Sequence, residues 1–232
     1  MSKILYSSVM LSKQPQTNAI QTKRINYLHV LQAADITGPF LEIGPGNGEM
    51  LTIAKEAGFL TISVADIDEG VVERIRHFHP DVCAHFVDVN VSLPTLLGTA
   101  GYSCIVACHV IEHIGINQRL AALTDWFTML KPGGIIILEL PNPLCVLGGW
   151  SNYLADPTHQ LPLSSSGLKK LVSLAGFSNI EAAAVKPVAT LSRSLSLGRW
   201  AMSVLLGAFA NLLARTCDIR TPSFYVTARR PE

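Results

Sequence analysis

The chain has 232 residues, 49% of them hydrophobic, enough to bury a substantial core in one large domain or two small ones. Lys and Arg number 18 against 17 Asp and Glu, and the formal net charge of +1 gives no general electrostatic pull toward nucleic acid, so no nucleic-acid partner is expected. Five cysteines, Cys83, Cys104, Cys108, Cys145 and Cys217, are scattered without a CxxC pair; they read as reduced thiols of a cytoplasmic protein, not as a zinc site.

Residues 1–22 read as a loose N-terminal arm, with no apolar run followed by a small-residue cleavage site and hence no secretory signal. Residues 23–232 read as a single domain in which short β-like runs alternate with helical patterns. The expected strands are Pro39–Ile43, Leu60–Ala65, Ala84–Val87, Cys104–Cys108, Gly134–Leu140, Asn179–Val185 and Ser223–Arg229. The expected helices are Glu49–Ala57, Glu69–Phe78, Asn117–Leu130 and Ser165–Ala175. Such alternation implies right-handed crossovers and an α/β, Rossmann-like, mostly parallel sheet with helices on both faces. Before the last strand, at about residues 190–216, a helical insertion is expected. Its apolar run, Leu195–Ala214, is interrupted by Arg199 and Asn211 and is short for a membrane span. It reads either as a cap on the domain or as a peripheral membrane contact.

In an open parallel sheet, ligands sit beyond the carboxyl ends of the strands. After the first strand, LEIGPGNGEM places Gly44, Gly46 and Gly48 between strand and helix, preceded by the acid Glu42. Glycines there permit unusual backbone angles and let a ligand approach the unpaired N–H groups of a helix N-terminus. After the second strand comes Asp66, placed to accept hydrogen bonds from both hydroxyls of a ribose, while Asp68 reads as the N-cap of the next helix. After the third comes Val87-Asp88-Val89, where the acid either accepts from an exocyclic amine or forms a turn. The fourth runs into His109-Val110-Ile111-Glu112-His113, whose H-x-x-E-H order is the inverse of the zincin H-E-x-x-H. It follows a buried strand and has no recognisable third ligand, so no metal is assigned.

Taken together, LEIGPGNGEML, VADID, VDV, CHVIEHI and MLKPGGIIILELPNP resemble the class I S-adenosylmethionine-dependent methyltransferases, in the expected order from about Lys23 to Lys186. The resemblance implies a seven-stranded sheet whose last strand inserts antiparallel, which SFYVTAR is placed to supply. It implies S-adenosylmethionine as cofactor and S-adenosylhomocysteine as product. Glu42, Gly44, Gly46 and Gly48 would contact the methionine part, Asp66 and Ile67 the ribose and adenine, and Asp88 and Val89 the adenine edge. The main chain at Cys108 and His109 would meet the amino-acid end. Many relatives begin strand four with Phe-Asp or Tyr-Asp, whereas this chain has Tyr102-Ser103.

The segment Pro141–Phe177 is similar to methyltransferases found with bacterial O-antigen and exopolysaccharide synthesis, through Tyr153, Asp156-Pro157-Thr158-His159 and Pro162. A sugar or glycan-linked acceptor is the expectation that follows. His159 is the candidate base, with Asp156 beside it to orient the ring, unless the two only brace the loop; His113 and Glu112 line the same mouth. Tyr153 and Trp150 read as sugar-stacking or pocket-wall residues. The rivals are a nicotinamide-dependent dehydrogenase, which expects GxGxxG, a non-catalytic cofactor-binding or scaffold protein, and a small-molecule or quinone-type methyltransferase. No NPPY-like string for base methylation is present.

Overall fold

The computed structural model describes residues 17–87, 93–98, 101–145, 149–188, 201–202, 204–206, 208–209 and 221–232. The short apolar runs form β1 (Phe40–Ile43), β2 (Ile62–Asp66), β3 (Cys83–Phe86), β4 (Tyr102–Cys108), β5 (Leu130–Pro141), β6 (Ser178–Ala184) and β7 (Ser223–Arg229). They build one seven-stranded sheet in the order β3-β2-β1-β4-β5-β7-β6. Strands β1 to β5 run parallel, and β7 inserts antiparallel between β5 and β6, as the sequence leads one to expect. β5 starts earlier than the apolar run does, because Leu130 already pairs with Tyr102 before a bulge resets the register to Cys104 opposite Ile135.

The helices are α1 (Thr17–Gln32), α2 (Glu49–Ala57), α3 (Glu69–Phe78), α4 (Leu93–Leu97), α5 (Arg119–Met129), α6 (Gly149–Leu154) and α7 (Ser165–Leu174), with a 3₁₀ turn at Ile111–His113. Alternate strand residues face opposite sides, so the sheet needs two apolar covers. On one side Ile43, Ile105, Ile136 and Leu138 pack with Trp126 of α5 and Leu168 of α7. On the other, Phe40, Val64, Val106 and Ile137 pack with Tyr27 and Leu31 of α1, Ile53 of α2 and Ile75 of α3. Of the expected arm, residues 1–16 lie outside the described residues and 17–22 form the first turns of α1, whose buried Tyr27 and Leu31, beyond the arm, belong to the core. Helix α1 is weakly amphipathic in sequence, which is why its periodicity gives no warning.

Asp68 caps α3 as expected, its side chain accepting from the Gly70 N–H at 2.8 Å. Most of the expected insertion at about 190–216 lies outside the described residues; where 201–209 are described they are helical, with Met202, Leu205 and Phe209 exposed. Among the described residues, no helix is long and apolar enough to cross a membrane.

Candidate cofactor and acceptor site

The carboxyl ends of β1, β2, β4 and β5 converge on one edge, and the residues singled out there by sequence fall into two neighbourhoods. The first is the glycine turn. Gly44 and Gly46 both hold positive φ, 69° and 54°, which only glycine adopts without strain. A methyl group on Gly44 would sit 2.6 Å from Cγ2 of Val110, whereas one on Gly46 would meet nothing within 4 Å. Gly46 therefore faces open space beside the start of α2. That helix is entered through Gly48 with no side-chain cap, so its first N–H groups remain available to a ligand.

Substituting Gly44→Ala adds both the strained φ and the clash with Val110. The expected loss is about 2 kcal/mol, equivalent to a fall in Tm of roughly 4–8 °C for a chain of this size. A thermal melt within 1–2 °C of the parent, on that same scale, would contradict the assignment of this turn as rigid.

Glu42 is buried in β1, and its Oε2 has no hydrogen-bond partner among the described residues. Burial pushes its carboxyl well above the ordinary range. Asn47 Oδ1, in the glycine turn, is buried and unpartnered in the same way. At the end of β2, Asp66 is 9% exposed and accepts the Asp68 N–H on Oδ1 at 2.8 Å, leaving further acceptor capacity on its carboxylate. Burial, only partly offset by the backbone N–H of Asp68, raises its pKa to about 6. Beside it Ile67 is 40% exposed, an apolar platform at the same edge. Asp88 and Val89 lie outside the described residues.

The amino-acid end expected at Cys108 and His109 adjoins a half-buried polar network that the sequence reading missed. Glu139, at the end of β5, accepts from Lys23 Nζ at 2.5 Å and Tyr27 Oη at 2.6 Å on Oε2, both residues of α1. His109 Nε2 lies 3.1 Å from Glu139 Oε1, and its Nδ1 lies 3.1 Å from Glu112 Oε1. Carboxylates only accept, so both ring nitrogens donate and His109 is an imidazolium. Burial opposes that charge, but the hydrogen bonds to Glu112 and Glu139 outweigh it and raise the pKa to about 9. Burial would push Glu139 up; Lys23 and then His109 hold it well below the carboxylate range instead. His109 also has φ 56°, a left-handed turn at the strand end, and its main-chain N–H donates to Glu139 O at 2.9 Å. The Cys108 thiol is pushed up by burial and stays protonated.

The second neighbourhood is the one where the acceptor mouth is expected. His113, at the end of the 3₁₀ turn, and His159 face each other with ring centroids 4.7 Å apart. What joins segments so far apart in the chain is a backbone bond from Gln160 N–H to Glu112 O and the buried Arg119, which donates to Ile114 O and Leu161 O. Thr158 Oγ1 donates its only proton to Asp156 Oδ1 at 2.6 Å, so at 2.8 Å it accepts from His113 Nδ1–H. His159 Nδ1–H donates to the Tyr153 carbonyl at 2.7 Å. Both histidines are thereby fixed in the tautomer with the lone pair on Nε2. Burial also lowers the pKa of His113, keeping that ring neutral.

Two expectations change. Asp156 orients His113 through Thr158 instead of orienting His159. Tyr153 is buried, with its hydroxyl donating to Gln160 O at 2.6 Å and its ring 4.6 Å from that of His159, so it positions His159 and offers no open sugar-stacking face. Trp150, on α6, is 55% exposed and available at the surface.

A parallel sheet with one antiparallel insertion, a glycine turn into an uncapped helix and an acid at the end of β2 define a Rossmann-like fold built for a nucleoside cofactor. A family described as "Methyltransferase domain" matches residues 20–182, and the chain belongs to that family. It carries an S-adenosylmethionine-dependent methyltransferase domain. A probable S-adenosylmethionine-dependent methyltransferase of Mycolicibacterium smegmatis is 28% identical over 137 residues, covering 59% of this chain and 51% of that protein, so the match spans about half the relative's length. A methyltransferase structure from Archaeoglobus fulgidus superposes with a TM-score of 0.63 at 19% identity, covering 90% of this chain and 97% of that one. Human N-acetylserotonin methyltransferase, in complex with S-adenosylmethionine, gives 0.61 at 16% identity over 92% of this chain and 54% of that one. At such identities these likenesses establish the fold.

The residues present fit the cofactor. Glu42 Oε2 is a buried polar atom in want of a partner, the ionised form of Asp66 suits a diol, and the open space at Gly46 admits a ligand against the main chain.

Proposed function

We propose that this chain transfers a methyl group from S-adenosylmethionine to a hydroxyl oxygen of a sugar or glycan-linked acceptor. The observation that carries the reading is the His113–His159 pair, two imidazoles with centroids 4.7 Å apart and tautomers locked by Thr158 and Tyr153. When bound, the cofactor supplies an electrophilic methyl on a sulfonium. Asp66 would hold the ribose, Glu42 and the glycine turn the methionine part, and the main chain after β4 the amino-acid end. His159 Nε2 takes the acceptor proton, because a neutral imidazole is a base suited to neutral pH. His113 stands alongside and shapes the hydroxyl's approach. The sugar or glycan class rests on the likeness of Pro141–Phe177, the segment that carries the exposed Trp150, to enzymes of O-antigen and exopolysaccharide synthesis.

The test is transfer of label from methyl-labelled S-adenosylmethionine to a panel of nucleotide sugars and lipid-linked glycans. His159→Ala is expected to lower kcat about a hundredfold while S-adenosylhomocysteine affinity stays unchanged. Unlabelled acceptors across the panel would remove the sugar reading, and parental turnover in His159→Ala would remove the base.

A further inference from the structure

We propose that Glu112, His113 and His159 form a binding site for a divalent transition cation of the zinc type. One ligand atom from each residue lies within 4.8 Å of those of the other two. The set, two imidazoles and one carboxylate, is the chemistry that borderline cations select, with coordination positions left open. His109, the other histidine of H-x-x-E-H, has both ring nitrogens engaged, Nδ1 by Glu112 and Nε2 by Glu139. The fold thus supplies from a distant loop the third ligand that the local motif lacks.

Three further features prepare these groups. Glu112 is 1% exposed, and its Oε2 is a buried oxygen with no hydrogen-bond partner among the described residues. Its other oxygen is occupied by His109 at 3.1 Å, which fixes the carboxylate's orientation. Each histidine donates Nδ1–H to an outer partner, His113 to the Thr158–Asp156 pair and His159 to the Tyr153 carbonyl. That is the arrangement by which outer groups orient metal-binding imidazoles and direct the Nε2 lone pair to the ion. Bonds of about 2.0–2.1 Å require a tighter cluster than 4.8 Å, so the half-buried rings turn inward on binding.

The consequence at the acceptor mouth rests on His159 being the base. The lone pair that would take the acceptor proton is the one that would hold the cation, so occupancy excludes the base and the cation inhibits transfer.

The experiment titrates chelator-treated full-length protein with Co²⁺, following its visible ligand-field absorption, with Zn²⁺ as competitor. Expected are one Co²⁺ bound per chain, displacement by Zn²⁺, loss of the signal in His113→Ala and His159→Ala, and about tenfold weaker binding in Thr158→Ala. Retained S-adenosylhomocysteine binding shows that the variants are folded. Cys83→Ser is the control, because exposed Cys83 Sγ lies 3.2 Å from His85 Nε2 and could capture metal adventitiously. Binding that survives in both histidine variants, or that Cys83→Ser abolishes, overturns the site. No Co²⁺ binding overturns it too, while leaving methyl transfer by the His159 base intact. Specific binding that activates transfer keeps the site and overturns the base.

Discussion

Asp66→Ala is expected to weaken S-adenosylhomocysteine binding roughly 10³-fold in calorimetric titration. The argument is one of charge and geometry at the end of β2. A ribose diol offers two O–H donors, and a carboxylate is the side chain that accepts both; each such bond to a charged group contributes about 1.5–3 kcal/mol, or about 4 kcal/mol for the two. Alanine removes both acceptors, whereas Asp66→Asn keeps one acceptor without charge and should fall between. The pH dependence follows from the pKa of about 6 in the free protein, set by burial first. The ribose hydroxyls stabilise the ionised form, so affinity is level above pH 7 and falls below 6, by about tenfold at pH 5. The sign for folding is the opposite. The folded pKa is raised above the unfolded one, so the cofactor-free protein loses stability as pH rises from about 4 to 6. Asp66→Asn is therefore expected to melt no lower than the parent at pH 8, even as it binds more weakly. Unchanged affinity in Asp66→Ala would mean that the ribose is held elsewhere.

The glycine turn and the acid at the end of β2 were legible in the sequence because they are local features. A glycine turn between strand and helix, and an acid at the next strand end, depend on residues adjacent in the chain, and strand periodicity sets where the ends fall. The His113–His159 neighbourhood depends on contacts between segments remote in sequence. Nothing in Glu112-His113 announces that Arg119 and Gln160 will seat His159 against them, and nothing in Asp156-Pro157-Thr158-His159 says which histidine the acid serves. Glu139 did leave a signal, an acid inside the apolar run IIILELP. Its meaning was hidden because its partners, Lys23 and Tyr27, stand one helical turn apart on a helix whose weak amphipathicity disguised it.

Glu139→Ala is expected to lower stability by about 3 kcal/mol, a Tm drop of roughly 6–12 °C. The variant leaves the Lys23 ammonium, the His109 imidazolium and the Tyr27 hydroxyl without their common acceptor at the end of β5. Breaking a buried ion pair commonly costs about 3–5 kcal/mol; the lower figure applies because the His109 side chain is 44% exposed and that of Lys23 is 16% exposed, so water screens part of the loss. Glu139→Gln keeps an acceptor but not the charge, and about half the loss is expected. Because the folded pKa of Glu139 lies below the ordinary value, its contribution is present above about pH 4.5 and disappears as pH falls through the folded pKa. The parent and Glu139→Ala should therefore converge in stability toward strong acid. The damage should also be local. Lys23 and Tyr27 tie α1 to the sheet through this one carboxylate, so amide exchange in Thr17–Gln32 should accelerate more than in β1 or β4. Unaltered exchange in α1 with an unchanged Tm would show that the apolar packing of Tyr27 and Leu31, with the Asn26–Lys186 and Arg24–Glu56 contacts, holds the helix without Glu139. Accelerated exchange would make Glu139 the joint between that helix and the strand ends where the amino-acid end of the cofactor is expected.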